Sequence, residues 1–399
     1  MGTPGRSAED PLDFRFTPEQ EAFRQEVVGF IRKELPANLL AGDFPYSDKN
    51  FEATMAFRKK LGQKKWTGIG WPKEYGGLGA LHTTQAIFHE EMIYHNAPLD
   101  PQAYQVGPAI IAYGSDYLKR KFLAGTVTQD IVWCQGFSEP NAGSDLANLQ
   151  TSAVADGDDF IINGQKIWTS LGHKANWIHI LVRTDPKAPK HKGISYFVVD
   201  MKSPGVTIRP LVNMADLHEF NEVFFTNVRV PRQNMIGELN QGWYVAMTTL
   251  ENERSGARDL GNVRRMLDQV LRIYQSTKGH PGIRHDVVAK HRLAEMAIEL
   301  AVTRQLAFRV SWMHEQKLPM TREPSIVKMF GTDLQQRVTQ LGMQVQGLYG
   351  QTRHGSRRAL EDGIVAHEYL HAISTPISAG SNEVQRNIIA TRGLGLPRG

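Results

Sequence analysis

The chain changes its hydrophobic period twice, and that constrains its fold more than any other feature. Up to about residue 130 the spacing is helical. Thr17-Pro18-Glu19-Gln20 reads as an N-cap, a proline at the first helical position and a capping-box glutamine. Phe23, Val27, Phe30 and Ile31 then share one face. Glycines between Gly68 and Gly79 stop helix formation, and a further helix is expected from Thr84 to His95, ahead of Pro98. From Ile131 to about Gly242 the runs become β-branched and aromatic. Phe160-Ile161-Ile162 before Asn163-Gly164 predicts a hairpin turn. Trp177 to Val182, Ile194 to Val199, Val206 to Ile208 and Val223 to Val230 predict further strands. Past Gly242 the helical period returns: Leu293, Met296 and Leu300 share a face, and Lys328 to Val345 contains no proline. The expected organisation is α+β: an N-terminal α-helical domain over 1–130, a middle β domain over 131–242 and a C-terminal helical domain over 243–399.

Composition narrows the function classes. With 399 residues the chain can hold more than one core, and 41% hydrophobic and 22% charged residues are ordinary for a soluble protein. A net charge of +5 is mild for this size, and Lys187-Ala188-Pro189-Lys190-His191-Lys192 reads better as a solvated loop than as a nucleic-acid patch, with an acidic ligand or protein partner as the alternative. Cys134 is the single cysteine, so no intrachain disulfide forms, which fits a reducing compartment. The first residues lack the apolar run of a signal peptide, Arg6 stands where a myristoylation motif needs Ser or Thr, and no apolar stretch is long enough to span a bilayer. The expectation is a soluble cytoplasmic protein with no nucleic-acid or membrane partner.

Chemistry concentrates in Gln135-Gly136-Phe137-Ser138-Glu139-Pro140-Asn141-Ala142-Gly143-Ser144-Asp145 and, soon after, Asn163-Gly164-Gln165-Lys166-Ile167-Trp168-Thr169-Ser170. Glycines clear side-chain bulk, hydroxyls donate hydrogen bonds and the indole offers a flat face, as a loop against a planar ligand requires. This segment resembles the flavin-binding signature of the acyl-CoA dehydrogenase family. Trp71-Pro72-Lys73-Glu74-Tyr75-Gly76-Gly77-Leu78-Gly79, Val228-Arg229-Val230-Pro231 with Ile236-Gly237-Glu238, Gln344-Val345-Gln346-Gly347 and Gly380-Ser381-Asn382-Glu383-Val384-Gln385-Arg386 match further family signatures in the family's order.

The resemblance implies a middle β-barrel-like domain, a C-terminal four-helix bundle and non-covalently bound FAD between them. No Gly-x-Gly-x-x-Gly follows a strand, so a Rossmann mode is not indicated. By motif position Phe137 and Ser138 meet the isoalloxazine edge, while Trp168 and Ser170 lie against the ring. Gln344 and Gly347 reach the FAD diphosphate of a neighbouring subunit, and Ser381 and Glu383 belong to the last cofactor motif. Ser144 and Glu251 are the expected CoA contacts, with Arg254 also on the substrate side. The resemblance further implies an acyl-CoA substrate, electron transfer flavoprotein as acceptor and a homotetramer.

Two departures stand out. The usual C-terminal glutamate base is replaced by Ala379, whose backbone N–H still suits the thioester oxygen. The family's other arrangement puts the base before an Arg on the helix after the β domain, and Glu253-Arg254 occupies it. A carboxylate shielded there has a raised pKa and suits α-proton removal. Second, the family's Arg-x-x-Phe is replaced by Ser276-Thr277-Lys278-Gly279, with Lys278 or Arg284 as substitutes for the charge. The alternatives are a heteromer with a paralogue, or a flavin monooxygenase or oxidase on the same fold. His367-Glu368-Tyr369-Leu370-His371 matches the zinc-hydrolase pattern but lies inside the flavoprotein segment, so no metal is expected.

Overall fold

The computed structural model describes residues 15–40, 44–253, 257–280 and 282–397. The N-terminal helices are α1 (Pro18–Glu34), α2 (Ala37–Leu40), α3 (Phe51–Gln63), α4 (His82–Tyr94), α5 (Ala103–Tyr113), α6 (Asp116–Leu118) and α7 (Ala124–Thr128). The expected capping box on α1 is present in both directions, Gln20 N to Thr17 Oγ1 and Thr17 N to Gln20 Oε1. Val27 and Ile31 are buried and Phe23 and Phe30 pack beside them, against Phe57, Trp66 and Phe88. α4 starts two residues before its expected position and ends one residue before it.

The middle strands are β1 (Trp133–Gly136), β2 (Ser152–Asp156), β3 (Asp159–Lys166), β4 (Trp177–Arg183), β5 (Ile194–Asp200), β6 (Val206–Leu211) and β7 (Phe220–Pro231). They form one sheet in the order β1-β4-β2-β3-β7-β6, with β5 antiparallel to β4. The side chains of β4 alternate between two cores. Ile178, Ile180 and Val182 join Phe197, Val223 and Val228 in one. Leu181 joins Tyr196, Val106, Ile110 and Val245 in the other, which glues the sheet to the helices.

Asn163-Gly164 is not the expected hairpin turn. β3 runs through it, and the β2–β3 turn falls at Gly157-Asp158 instead. A bulge between Ile162 and Gly164 shifts the register against β7, and Gly164 takes φ 147°. A Cβ there would lie 2.6 Å from Thr151 Oγ1. The glycine serves a bulge and a close approach, the other physical use of Gly in a strand.

α8 (Gly242–Glu253), α9 (Ala257–Ser276), α10 (Val287–Glu315), α11 (Glu323–Gln346), α12 (Ile364–Ala372) and α13 (Asn382–Ile388) follow. Val263, Met266 and Val270 of α9, Leu293 and Met296 of α10, Leu334, Val338 and Leu341 of α11 and Val365 of α12 fill one core, with Leu300 at its edge. This is the helical C-terminal domain expected.

α4 ties the two helical regions together by charge. Glu90 accepts from Arg264 (3.3 Å) and Arg304 (3.1 Å), and Glu91 from Arg24 (3.3 Å) and Arg264 (3.1 Å). Both carboxylates are buried, so their cations are structural requirements. Among the described residues no helix is long and apolar enough to cross a membrane.

The bulge generates a prediction. Gly164→Ala should cost about 1–3 kcal/mol, because it forces a side chain into a conformation reserved for glycine. Chemical denaturation should show it. An unchanged midpoint would mean that the bulge is not as drawn.

Candidate functional site

The two signature loops meet at the end of β1 and β3. Glu139 and Lys166 lock them together. Lys166 is fully buried, and its Nζ donates to Glu139 Oε1 (2.8 Å) and Phe137 O (3.1 Å). Glu139 also accepts from Gln150 N (2.6 Å) and Thr151 N (2.9 Å). Burial by itself would push the Glu139 carboxyl up. The Lys166 charge and the hydrogen bonds outweigh it and hold the group below the usual carboxylate range. Burial pushes the Lys166 ammonium down to about 8, opposed by Glu139. Ile167 N donates to Ser138 O (3.0 Å), so the loops are also zipped by backbone.

This frame presents Trp168. Its indole is 56% exposed, although its backbone sits at φ 59°. A large apolar ring held out to solvent on a left-handed residue has no folding rationale. The Phe220 ring meets it edge-on, at 5.9 Å between ring centres. Ser138 and Ser170 are half-buried, and neither hydroxyl has a protein partner among the described residues. Thr169, between them, is buried with its Oγ1 also unpartnered. An open indole face beside free hydroxyls fits a flat heteroaromatic ring such as the isoalloxazine of FAD. The Phe137 ring is not available to it: it is buried against His179 and Tyr196, so Phe137 can offer only backbone.

The Ala379 loop is a second prepared feature. Ala379 and Gly380 take φ 53° and 84°. Neither N–H has a protein acceptor among the described residues. The loop is clamped from α11: Lys328 donates to Pro376 O (3.2 Å) and Asn382 Oδ1 (2.9 Å), and Asn382 donates to Asp333 (2.7 Å). Adjacent free N–H groups in left-handed backbone form an anion-binding concavity. Ser381 caps α13 through Val384 N (3.4 Å). Glu383 is exposed, held below the carboxylate range first by its own backbone N–H and then by the Ser381 hydroxyl.

Other expected residues lie elsewhere. Glu251 and Glu253 occupy the last turn of α8, with side chains outside the described residues, and Arg254 is outside them altogether. Ser144 is exposed on the first signature loop. Gln344 and Gly347 lie at the end of α11, where Arg292 donates to Gln344 Oε1 (2.9 Å). Beyond the Ser276–Gly279 replacement, Arg284 N donates to Val345 O (2.8 Å), which brings the start of the next segment onto this turn. Gly347 takes φ 55°, and a Cβ there would lie 2.9 Å from Gly282 O.

The zinc-like motif sits on α12, its residues turned to other partners. Glu368 Oε1 accepts from Arg265 (3.0 Å), and His371 Nε2 lies 3.7 Å from Glu219 Oε2. Among the described residues no cluster of three or more His, Cys, Asp or Glu is placed to hold a metal ion.

Comparison with known proteins agrees with this geometry. Residues 17–130, 134–228 and 240–394 match the N-terminal, middle and C-terminal domains of acyl-CoA dehydrogenases. The chain belongs to that family and is an enzyme of its class. It is 35% identical over 391 residues to acyl-CoA dehydrogenase IpdE1 of Mycobacterium tuberculosis, covering 95% of this chain and 98% of that one. It resembles the Tcur3481-Tcur3483 steroid ACAD (TM-score 0.89, 31% identity, 97% and 100% of the two chains). It also resembles the ChsE4-ChsE5 complex of Mycobacterium tuberculosis (TM-score 0.88, 33% identity, 97% and 100%).

Lys166→Met should strand the Glu139 carboxylate and destabilise the fold by about 3–5 kcal/mol. In the wild type the contribution of Glu139 should be complete above the ordinary carboxylate range and fade as pH falls through its lowered folded value. Thermal melts of both proteins against pH check this. A Lys166→Met protein as stable as wild type would show that the pair does not hold the loops.

Proposed function

We propose that the chain catalyses FAD-dependent α,β-dehydrogenation of an acyl-CoA thioester to the trans-2-enoyl-CoA, with electrons passing to electron transfer flavoprotein. The observation that carries this reading is the exposed Trp168 with the free hydroxyls of Ser138 and Ser170, all on one locked frame. Bound FAD supplies the acceptor for the β-hydride. Glu253 removes the α-proton, in the position left vacant by Ala379. The free N–H of Ala379 stabilises charge on the thioester oxygen without a side chain. Arg254 orients the base, and Ser144 and Glu251 meet the CoA moiety. Gln344, Gly347, Ser381 and Glu383 serve the cofactor.

The base on α8 instead of the C-terminal loop re-shapes the pocket floor and suits a bulky acyl group. The steroid ACAD among the relatives points the same way. The family's tetramer is the expected assembly. The Ser276–Gly279 replacement and the ChsE4-ChsE5 relative favour one in which a paralogue completes the adenine-diphosphate half of the FAD site.

Glu253→Gln should retain FAD yet reduce it at least ~10²-fold more slowly on acyl-CoA. Rapid-mixing absorbance on a bulky acyl-CoA decides, and a wild-type rate would move the base elsewhere. Counting FAD per chain, alone and co-expressed with a paralogue, separates the assemblies. One FAD per chain in the lone protein would exclude the strictly heteromeric form.

A further inference from the structure

The His-Glu-x-x-His segment remains unused by the chemistry above, and its geometry is not idle. α12 carries His371 across to Glu219, which enters β7 from the middle sheet. Their 3.7 Å separation is within ion-pair reach but too long for a hydrogen bond. Glu219 Oε2 is buried and has no hydrogen-bond partner among the described residues. His371 is therefore the neighbour that compensates its charge. The backbone of the same strand end holds the Trp168 turn. Leu171 N donates to Glu219 O (2.9 Å) and Thr169 N to Asn221 O (3.0 Å). Asn221 Nδ2 returns a bond to Thr169 O (3.0 Å), two further histidines, His173 (3.1 Å) and His218 (2.9 Å), bond the same Asn221 amide, and the Phe220 ring meets Trp168. Trp168 and Leu171 both sit at positive φ, so the turn depends on such bonds to hold its backbone there.

We propose that Glu219–His371 is a proton-dependent latch between α12 and the middle sheet, and that His371 is a positioning residue for the Trp168–Ser170 turn. The role in flavin placement rests on the function proposed above; the latch itself does not.

Charge explains why protonation matters. His371 faces Glu219 from the sheet, Arg265 from α9, and Glu368 and His367 on its own helix. From α11, Gln336 donates to Ala372 O (3.2 Å) and brings no charge. Burial lowers the His367 pKa, which favours its neutral form. Protonated, His371 makes the group neutral, two carboxylates against two cations. Deprotonated, it leaves Glu219 without compensation. The Glu219 contact raises the His371 pKa above its ordinary value, against the opposing effect of burial. The sign follows: the latch is fully formed below the ordinary histidine pKa and opens as pH rises through the raised folded value.

Amide hydrogen exchange of the full-length protein, without flavin or substrate, tests this at Thr169 and Leu171. At about pH 6, where the histidine is charged, His371→Gln and Glu219→Gln should each speed exchange there by about tenfold, the scale of a lost charged contact. Wild type should lose protection at these amides between about pH 6 and pH 8, after correction for intrinsic rates. His371→Arg keeps the cation at both and should stay protected. If His371→Gln accelerates exchange everywhere, it has weakened the whole fold, and His371→Arg decides. A pH-dependent loss that persists in His371→Arg overturns the proposal, as does wild-type exchange in His371→Gln. With flavin bound, the pH profile of its reduction should lose one limb in His371→Arg. Absence of any flavin reduction would sink the proposed function but leave the exchange result standing.

Discussion

One buried ion pair underlies the site. Glu139 and Lys166 come from the two signature loops, and their contact turns separate turns into a single wall. A lysine with no exposed surface is costly to ionise, and a carboxylate beside it is equally costly if left unpaired. The cost is offset because Glu139 also takes two backbone N–H groups and Lys166 a carbonyl. The pair brings specificity of position. With Ser138 and Trp168 fixed relative to each other, free hydroxyls and an open indole face can meet one flat ligand.

The helical regions supply the other half of the geometry by the same means. Glu90 and Glu91 of α4 gather arginines from α1, α9 and α10, so the N-terminal helices and the bundle share one charge network. Lys328 and Asp333 of α11 hold the Ala379 loop in left-handed backbone. The Trp168 frame and the Ala379 loop thus each rest on a rigid neighbour, which is what pre-organised electrostatics require.

Much of the architecture was legible in the sequence. Period changes near Ile131 and Gly242 separate the sheet from the helices because helices and half-buried strands repeat their apolar residues differently. The Thr17–Gln20 box marks its helix because capping chemistry is local. Asn163-Gly164 misled for the same reason. Locally it is a turn, but a partner distant in sequence, Thr151, decides that it is a bulge. The site shows the same division. Trp168 and Ser138 stand out by resemblance, as does the place of Glu253 on α8. Glu139 and Lys166 sat in the quoted motifs, and an acid in one and a lone base in the other were the available signal. Glu219 gave no such signal and His371 only the zinc-like pattern, since only the folded chain brings α12 to β7. Phe137 was expected at the isoalloxazine edge; its ring faces the core, because the strand's alternation continues one residue further, and its backbone is what remains for that contact.

In the function proposed, Trp168 is exposed for a flavin and not for the fold. FAD titration into the apoprotein, or into the complex it forms with a paralogue, compares wild type with Trp168→Ala. An exposed ring contributes little to folding, so the melting temperature should be unchanged. The FAD dissociation constant should rise by about tenfold or more, the scale of losing an aromatic contact face. Unchanged FAD affinity in Trp168→Ala, or no FAD binding by the wild type, would contradict that role.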